Sequence, residues 1–425
     1  MNMRTESPRF VRKQAGSGFL YGWLLVALFI DYARPTNQLT WLEFPFFYSL
    51  VPMLLLLVTM FAPNLRPLRD IFADRLTKWV AIFLGIVLVS LALTGFKPGA
   101  VDVAQRVLGY AFLFLLIARI VTTPERLRGV VVALLVAHMY LLALNFEVLL
   151  NPSQRHYLRG GTFLGDGNDF ALSLCLLFPC MIAVAMGARS RLARAVSWTG
   201  AAMIPLAIVA TQSRGGTLGT VAVLVYLWYR SGRKLASMMA IAIVGALVLL
   251  YAPPEYFERM GTVSAPRSDT SAQGRIDAWS AALGMGLKNP LGIGAGGFSA
   301  RWGRTAHSTY FLALGELGLP GLACVLMLVF GNLRENARLR RQVQSRPGPE
   351  PGETARRSMQ LLDMLNAAMV GFAVAGAFLS ATYYPHMYVL TALLIAARSL
   401  ARRDTGLNPS PTKPASAHRR PACSR

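Results

Sequence analysis

The run AIVATQSRGGTLGTVAVL, residues 207–224, places Arg214 between two apolar stretches with only a handful of residues in which to turn. A charge held there is costly in a bilayer, and Ser, Gly or Asn would turn as well. Two uses fit it: a planar, permanently charged donor for phosphate oxygens, or a snorkelling side chain at the lipid headgroups. Arg275 falls in the first turn of a helix read from SDTSAQGRIDAWSAALGMGLKNP, where a cation gains nothing from the helix dipole, so it is either solvated or facing an anion. His307, in RTAHSTYF, is a group that can accept a proton from a hydroxyl at neutral pH, or a satisfied structural histidine at a membrane interface. Tyr310 follows one helical turn later.

Other residues carry weaker signals. Gly292, Gly294 and Gly297 satisfy GxGxxG, and Glu316 stands about where a dinucleotide fingerprint wants its acid, but no strand precedes them and no βαβ unit surrounds them. These glycines and Gly296 let backbone pass close to something, either another loop or a phosphate. SQRHYLRGG offers Arg155, His156 and Arg159 to a substrate phosphate or sugar, or to interfacial solvent. DGND, residues 166–169, lacks the closing Glu of a calcium loop, since Leu177 stands there, and reads as a turn with Asn168 or Asp169 capping the next helix. No His/Asp/Glu cluster has metal-ligand spacing, so neither a metal nor another cofactor is expected.

The elements that must hold these residues are set by composition. The chain of 425 residues is 54% hydrophobic and 15% charged, with a mean hydropathy of +0.44, too apolar for an ordinary soluble protein. It reads as an all-α polytopic membrane protein. The net charge of +23 does not point to nucleic acid, because the basic residues sit in short clusters between apolar runs and not on a face with interleaved aromatics. Cys175, Cys180, Cys324 and Cys423 are scattered and imply neither a disulfide framework nor a thiolate metal site. No cleavage site follows the first apolar run, which is read as a retained helix.

Stretches long enough to cross the hydrocarbon recur near 19–33, 44–62, 79–95, 105–121, 129–150, 168–187, 195–211, 216–229, 235–252, 317–333, 361–381 and 385–400, which predicts about twelve spans. Lys and Arg concentrate in alternate connections, as with Arg66, Arg69, Arg75 and Lys78 after the second run and Arg230, Arg233 and Lys234 after the eighth. Positive residues favour the cytoplasm, so both termini are assigned inside. Arg214, Arg34 and one long loop, residues 253–316, then fall outside. That loop is expected to be a catalytic region containing one short helix, with Ile276, Trp279, Leu283 and Leu287 as an apolar stripe resting on the membrane domain or the bilayer surface. The basic stretch 334–360 reads as a cytoplasmic loop, and residues 1–18 and 401–425 as tails, the second disordered. Neither an internal repeat nor paired discontinuous helices mark a transporter, and no Asp, Glu or Lys stands out mid-helix as an ion path.

The ordered set TQSRGG after an apolar helix, GRIDAW and KNPLGIGAGGF in the long loop, and HSTYFLALGELGLPG before the next helix resembles the bacterial O-antigen ligase/polymerase superfamily. Together with GTFLGDGNDFALSL it resembles in particular the exosortase-associated probable O-glycosylation ligases. The resemblance covers residues 160–321, and the first 150 residues match only as hydrophobic helices. It implies metal-independent transfer, at the periplasmic face of the inner membrane, of a glycan from undecaprenyl diphosphate to an acceptor hydroxyl on a glycolipid, protein or glycan, or else polymerisation by the same chemistry. It also implies that the family's two arginines fall on Arg214 and Arg275 and its histidine on His307. One departure is Ser308, where the family commonly has Asn; a hydroxyl keeps a hydrogen bond but not the two-ended orientation of an amide.

Overall fold

The computed structural model describes residues 8–35, 47–62, 65–95, 97–153, 164–261, 270–346 and 352–407. Among these the chain is helical, with no strand. The helices are α1 (Pro8–Ala33), α2 (Phe47–Met60), α3 (Leu68–Phe72), α4 (Arg75–Leu93), α5 (Pro98–Ile120), α6 (Pro124–Leu144), α7 (Glu147–Leu150) and α8 (Gly167–Met186). They continue as α9 (Arg191–Ala210), α10 (Arg214–Arg230), α11 (Lys234–Tyr251), α12 (Pro254–Gly261), α13 (Thr270–Lys288), α14 (Gly297–Trp302), α15 (Thr309–Gln344), α16 (Glu353–Ala375) and α17 (Pro385–Asp404). Every predicted span coincides with a helix. Eight helices, α4, α5, α6, α8, α9, α11, α15 and α16, are long and apolar enough to cross a membrane. The other four predicted spans lie on α1, α2, α10 and α17, which are shorter in their apolar part or more polar.

Local chemistry sets the boundaries. Asp74, Thr123, Asp166, Ser190 and Ser213 cap α4, α6, α8, α9 and α10 by accepting a first-turn amide on their side chains. Proline opens α5, α6 and α17, where its missing amide costs nothing. The cap of α8 corrects the expectation placed on Asn168 or Asp169: the Asp166 carboxylate accepts the Asn168 amide at 2.7 Å, which leaves the Asp169 side chain for other work.

The core is built around α8, which packs on α6, α9, α10 and α16, while α15, α16, α17 and α5 form the adjoining layer. Close approach is made possible by glycines on α10. A Cβ at Gly216 would stand 2.6 Å from the Ala171 Cβ, and one at Gly219 2.8 Å from the Ala375 Cβ. At the other extreme, α11 buries none of its residues and presents an apolar surface nearly all round, as a lipid-facing helix does.

Two buried arginines of the bundle are held by hydrogen bonds to neutral oxygens. Arg398 on α17, 4% exposed, donates to the side-chain oxygens of Asn332 and Asn336 on α15, both at 2.9 Å. Arg119 on α5 closes the end of α2 by donating to the Thr59 carbonyl at 2.8 Å. Acidic groups are buried in helices too, near an end or a break: Asp31 on α1 and Glu316 on α15 are 4% and 2% exposed.

The long connection between α11 and α15 holds three helices, not one. Predicted helix α13 runs from Thr270 to Lys288, ending before Asn289-Pro290 as expected. Of the predicted stripe, Trp279 packs on Phe311 of α15, while Ile276, Leu283 and Leu287 are exposed at 37%, 43% and 69%, as residues facing a bilayer surface would be; Ala278 and Ala282 are fully buried against α15. Small residues allow the closer contact, with a Cβ at Gly286 falling 2.6 Å from Leu314, and the larger aliphatic residues are left on the outer face. Helix α15 starts at Thr309, eight residues before the predicted span, and breaks at Gly318, whose φ of 67° and ψ of −161° lie outside the helical range. Pro320 stands two residues after this break.

Candidate functional site

The α15 break builds the site. Gly318 leaves the backbone of Gly315–Leu319 open for pairing, and Pro290–Gly294 fills it: the Ile293 and Gly294 amides donate to the Gly315 and Glu316 carbonyls at 3.1 and 2.9 Å, and the Leu319 amide to the Pro290 carbonyl at 2.9 Å. No side chain fits between the two strands of chain. A Cβ at Gly292 would stand 2.2 Å from the Glu316 carbonyl oxygen and one at Gly318 2.1 Å from that of Pro290, and both glycines have positive φ, at 86° and 67°.

Glu316 then fixes the next turn. Its carboxylate accepts the Gly296 and Phe298 amides, both at 2.8 Å, and the Tyr383 hydroxyl at 2.8 Å. Burial, with Glu316 adding to it, keeps the Tyr383 phenol well above its ordinary pKa, so it stays a donor. The glycine-rich stretch is therefore an internal joint. The amides of Gly294, Gly296 and Gly297, the candidates for substrate phosphate, donate to the Glu316 carbonyl, the Glu316 carboxylate and the Gly294 carbonyl, and of the three Gly296 lines the cleft described next. The Tyr310 hydroxyl donates to the Ala373 carbonyl at 2.8 Å, and Tyr310 does not line that cleft.

Beside this joint a cleft of about 260 Å³ opens at the end of the bundle where α5, α8 and α15 begin. His307 lines it together with Asp166, Asp169, Glu316, Ser380 and Tyr384. His307 takes a left-handed backbone conformation, φ 49°, one of three such non-glycine residues among those described, with Arg34 and Gln212. A positive φ is uncommon for a residue with a Cβ, and the surroundings hold it there. Thr309 donates its hydroxyl to the Leu379 carbonyl at 2.7 Å and its amide to the Gly376 carbonyl at 2.8 Å, and Thr305 donates to the Ser380 hydroxyl at 2.7 Å. Both sides of His307 are thus stitched to the turn between α16 and α17. Ser308, the departure from the resembled pattern, is the N-cap of α15 and accepts the Phe311 amide at 3.4 Å. Asn caps a helix equally well, so the exchange keeps the helix start.

Asp169, Ser380, Tyr383 and Tyr384 were not singled out by sequence reading as working residues. The Asp169 carboxylate accepts the Tyr384 hydroxyl at 2.8 Å, and burial followed by the Asp169 charge holds that phenol well above its ordinary pKa. The tandem Tyr383-Tyr384 before Pro385 is the one sequence signal that could have found them. Behind the cleft, the Tyr384 ring lies 6.2 Å from that of His386, whose Nε2 pairs with the Ser173 hydroxyl at 2.8 Å, and Ser173 pairs in turn with His138.

Arg214 and Arg275 do not line this cleft. A near neighbour of each packs on an aromatic wall beside it. Arg214 is the first residue of α10, 6% exposed, after a turn in which Gln212 has φ 54°. Its neighbour Gly215 meets Phe378, with the built Cβ 3.1 Å from the Phe378 Cβ. Arg275 is half-buried near the start of α13, one turn before Trp279. Trp279 stacks on Phe311 at 5.4 Å between centroids and 14° between planes, and packs on Phe378 at 6.2 Å. Leu379, next to Phe378, lines the cleft. Both arginines sit near helix N-termini, where the dipole opposes a cation and favours an anion beside it. Arg155 and Arg159, with His156, lie outside the described residues.

No group of three or more metal-ligating side chains is gathered among the described residues. No curated protein matches the chain. Residues 198–326 match the family model described as O-antigen ligase, a segment that includes Arg214, Arg275, His307 and Glu316. That match, over less than half of the chain, makes the segment similar to the O-antigen ligase domain and supports the resemblance to the O-antigen ligase/polymerase superfamily.

Proposed function

We propose that the protein moves a glycan from undecaprenyl diphosphate to an acceptor hydroxyl at the periplasmic face of the bacterial inner membrane. The observation that supports this reading is that Gly215, next to Arg214, and Trp279, one turn after Arg275, both pack on Phe378, whose neighbour Leu379 lines the cleft with His307; the reading sets the two arginines on one side of that wall and His307 on the other. On the arginine side, two guanidiniums meet the diphosphate, whose charge grows as its bond to the anomeric carbon breaks. A pair of unit charges 4 Å apart is worth about 4 kcal/mol at an effective dielectric of 20, so two such contacts account for a large part of the rate.

On the other side lies a cleft lined with carboxylate, hydroxyl and imidazole groups, chemistry that holds a polyhydroxyl chain. There His307 takes the proton of the attacking hydroxyl, the oxygen bonds to the anomeric carbon, and the lipid diphosphate leaves with the bonding pair. Asp169 and Tyr384 orient that hydroxyl. The step uses no metal. Undecaprenyl diphosphate glycan as donor, and a glycolipid, protein or glycan as acceptor, are the partners.

The experiment is to supply purified protein with a lipid-linked glycan and separate candidate acceptors, then weigh the products. Glycan on the acceptor supports the reading. Longer chains still on the lipid identify a polymerase of the same superfamily, and intact donor moved across a vesicle identifies a flippase. Exosortase genes beside this one would point to O-glycosylation, and core-sugar genes to lipopolysaccharide ligation.

A further inference from the structure

At the end of the bundle opposite the cleft, two cavities share Met186 and Gln360 and differ in how their charges are met. One, of about 520 Å³ between α10, α11, α15 and α16, is lined by Arg230, Arg340 and Arg356 together with Asp363. The Asp363 carboxylate joins two of these, with Arg230 at 3.2 Å and Arg340 at 2.6 Å. That cavity carries its own counter-charge.

The other, of about 570 Å³, lies between the start of α6, the α8–α9 turn and the start of α16, and is lined by Arg128, Arg189, Arg194 and Arg357 with a single acid, the exposed Glu125. Its arginines have no carboxylate among the lining groups in contact with them. Arg128 is held by the Gly187 and Val184 carbonyls at 2.7 and 3.2 Å, and Arg194 by the Ala188 carbonyl at 3.2 Å. Arg357 has an ion pair with Glu353 in which both side chains are more than two-thirds exposed, where solvent screens it. Arg189 is exposed and has no hydrogen bond or ion pair to a described residue. Carbonyl contacts position a guanidinium without neutralising it and leave it further N–H donors. Val131, Val184 and Leu361 supply an apolar floor between the helices.

We infer that this second cavity is a binding site for the phosphodiester headgroup of an anionic phospholipid in the leaflet opposite the cleft. Basic pockets between membrane helices take such headgroups, and here the apolar floor receives the first part of the acyl chains. A soluble anion would use the arginines but not the floor.

The test exchanges the purified full-length protein into vesicles of equimolar phosphatidylglycerol and phosphatidylcholine, then counts lipids retained per protein by native mass spectrometry. The wild type is expected to retain phosphatidylglycerol selectively. The double variant Arg189→Ala/Arg357→Ala changes two exposed side chains that hold no backbone, and its retention is expected to fall by about five-fold for each arginine, about twenty-five-fold together. Arg233→Ala, exposed at the same end but lining neither cavity, should retain lipid as the wild type does.

Equal retention in the double variant overturns the inference. So does removal of the retained lipid by excess inorganic phosphate, which would mark a soluble-anion site. If the double variant misfolds, Arg189→Ala alone serves, since Arg189 has no bond to lose. The outcome does not depend on glycan transfer.

Discussion

Charge and shape divide at Arg214 and Arg275. Lysine at either position keeps the positive charge and loses the planar fork that meets two phosphate oxygens at once. Arg214→Lys and Arg275→Lys are each expected to reduce glycan transfer at least ten-fold at matched membrane expression. Arg301→Lys, on the exposed face of α14 at the same end, should be near wild type. Arg34 is no neutral comparison, because it is 6% exposed with φ 45° and donates to the Asp31 carbonyl. Near-normal transfer in both lysine variants would remove the diphosphate clamp. For His307→Ala the loss belongs in turnover, about 10²–10⁴-fold, with donor binding little changed, because a base acts in the transition state. Steady-state kinetics with donor and acceptor varied separately check this split.

Helix α15 and the Gly-rich joint account for the site as a piece of structure. Gly292→Ala would push a Cβ to 2.2 Å from the Glu316 carbonyl at a positive φ, so the joint is expected to open, with faster proteolysis in 289–305 and lost transfer. Gly284→Ala is the matched comparison: nothing stands within 4 Å of its Cβ, and alanine in a helix interior gains about 0.5–1 kcal/mol over glycine. If Gly292→Ala resists protease as Gly284→Ala does, the joint is not what holds the cleft. Helix positions were legible because apolar runs and Asp/Ser/Thr caps are local signals, and all twelve predicted spans fell on helices. The joint was not. A GxGxxG pattern reports only that backbone comes close to something; the partner, Gly315–Leu319, is made available by a break at Gly318 that the apolar run through it conceals. The contact of α13 with α15 was only partly legible for a related reason: hydrophobic size points to Trp279, whereas Ala278, Ala282 and Gly286 make much of the contact by letting α15 approach. Asp169 and Tyr384 meet only through folding, 215 residues apart, and neither has a spacing rule that joins them.

Across the whole molecule, the cleft and the two basic cavities occupy opposite ends of the bundle, joined by α8 and α15. The segment of α15 after its break, residues 319–344, is about 39 Å long at 1.5 Å per residue, enough to cross about 30 Å of hydrocarbon. Ser299 and Ser345 are both exposed and lie before and after it. In a Cys423→Ser background, where the remaining cysteines are buried, Ser299→Cys should react in intact cells with a membrane-impermeant thiol reagent and Ser345→Cys should not. Labelling of Ser345→Cys alone would turn the protein over and put the cleft on the cytoplasmic side. The most direct measurement of the central claim is stoichiometry: purified protein, a glycan on undecaprenyl diphosphate and an acceptor, assayed for released lipid diphosphate and glycosylated acceptor in the presence of a chelator. The account predicts one lipid diphosphate released for each acceptor glycosylated, at a rate the chelator does not change. Release without glycosylated acceptor, or transfer lost to the chelator and restored by a divalent ion, would contradict it.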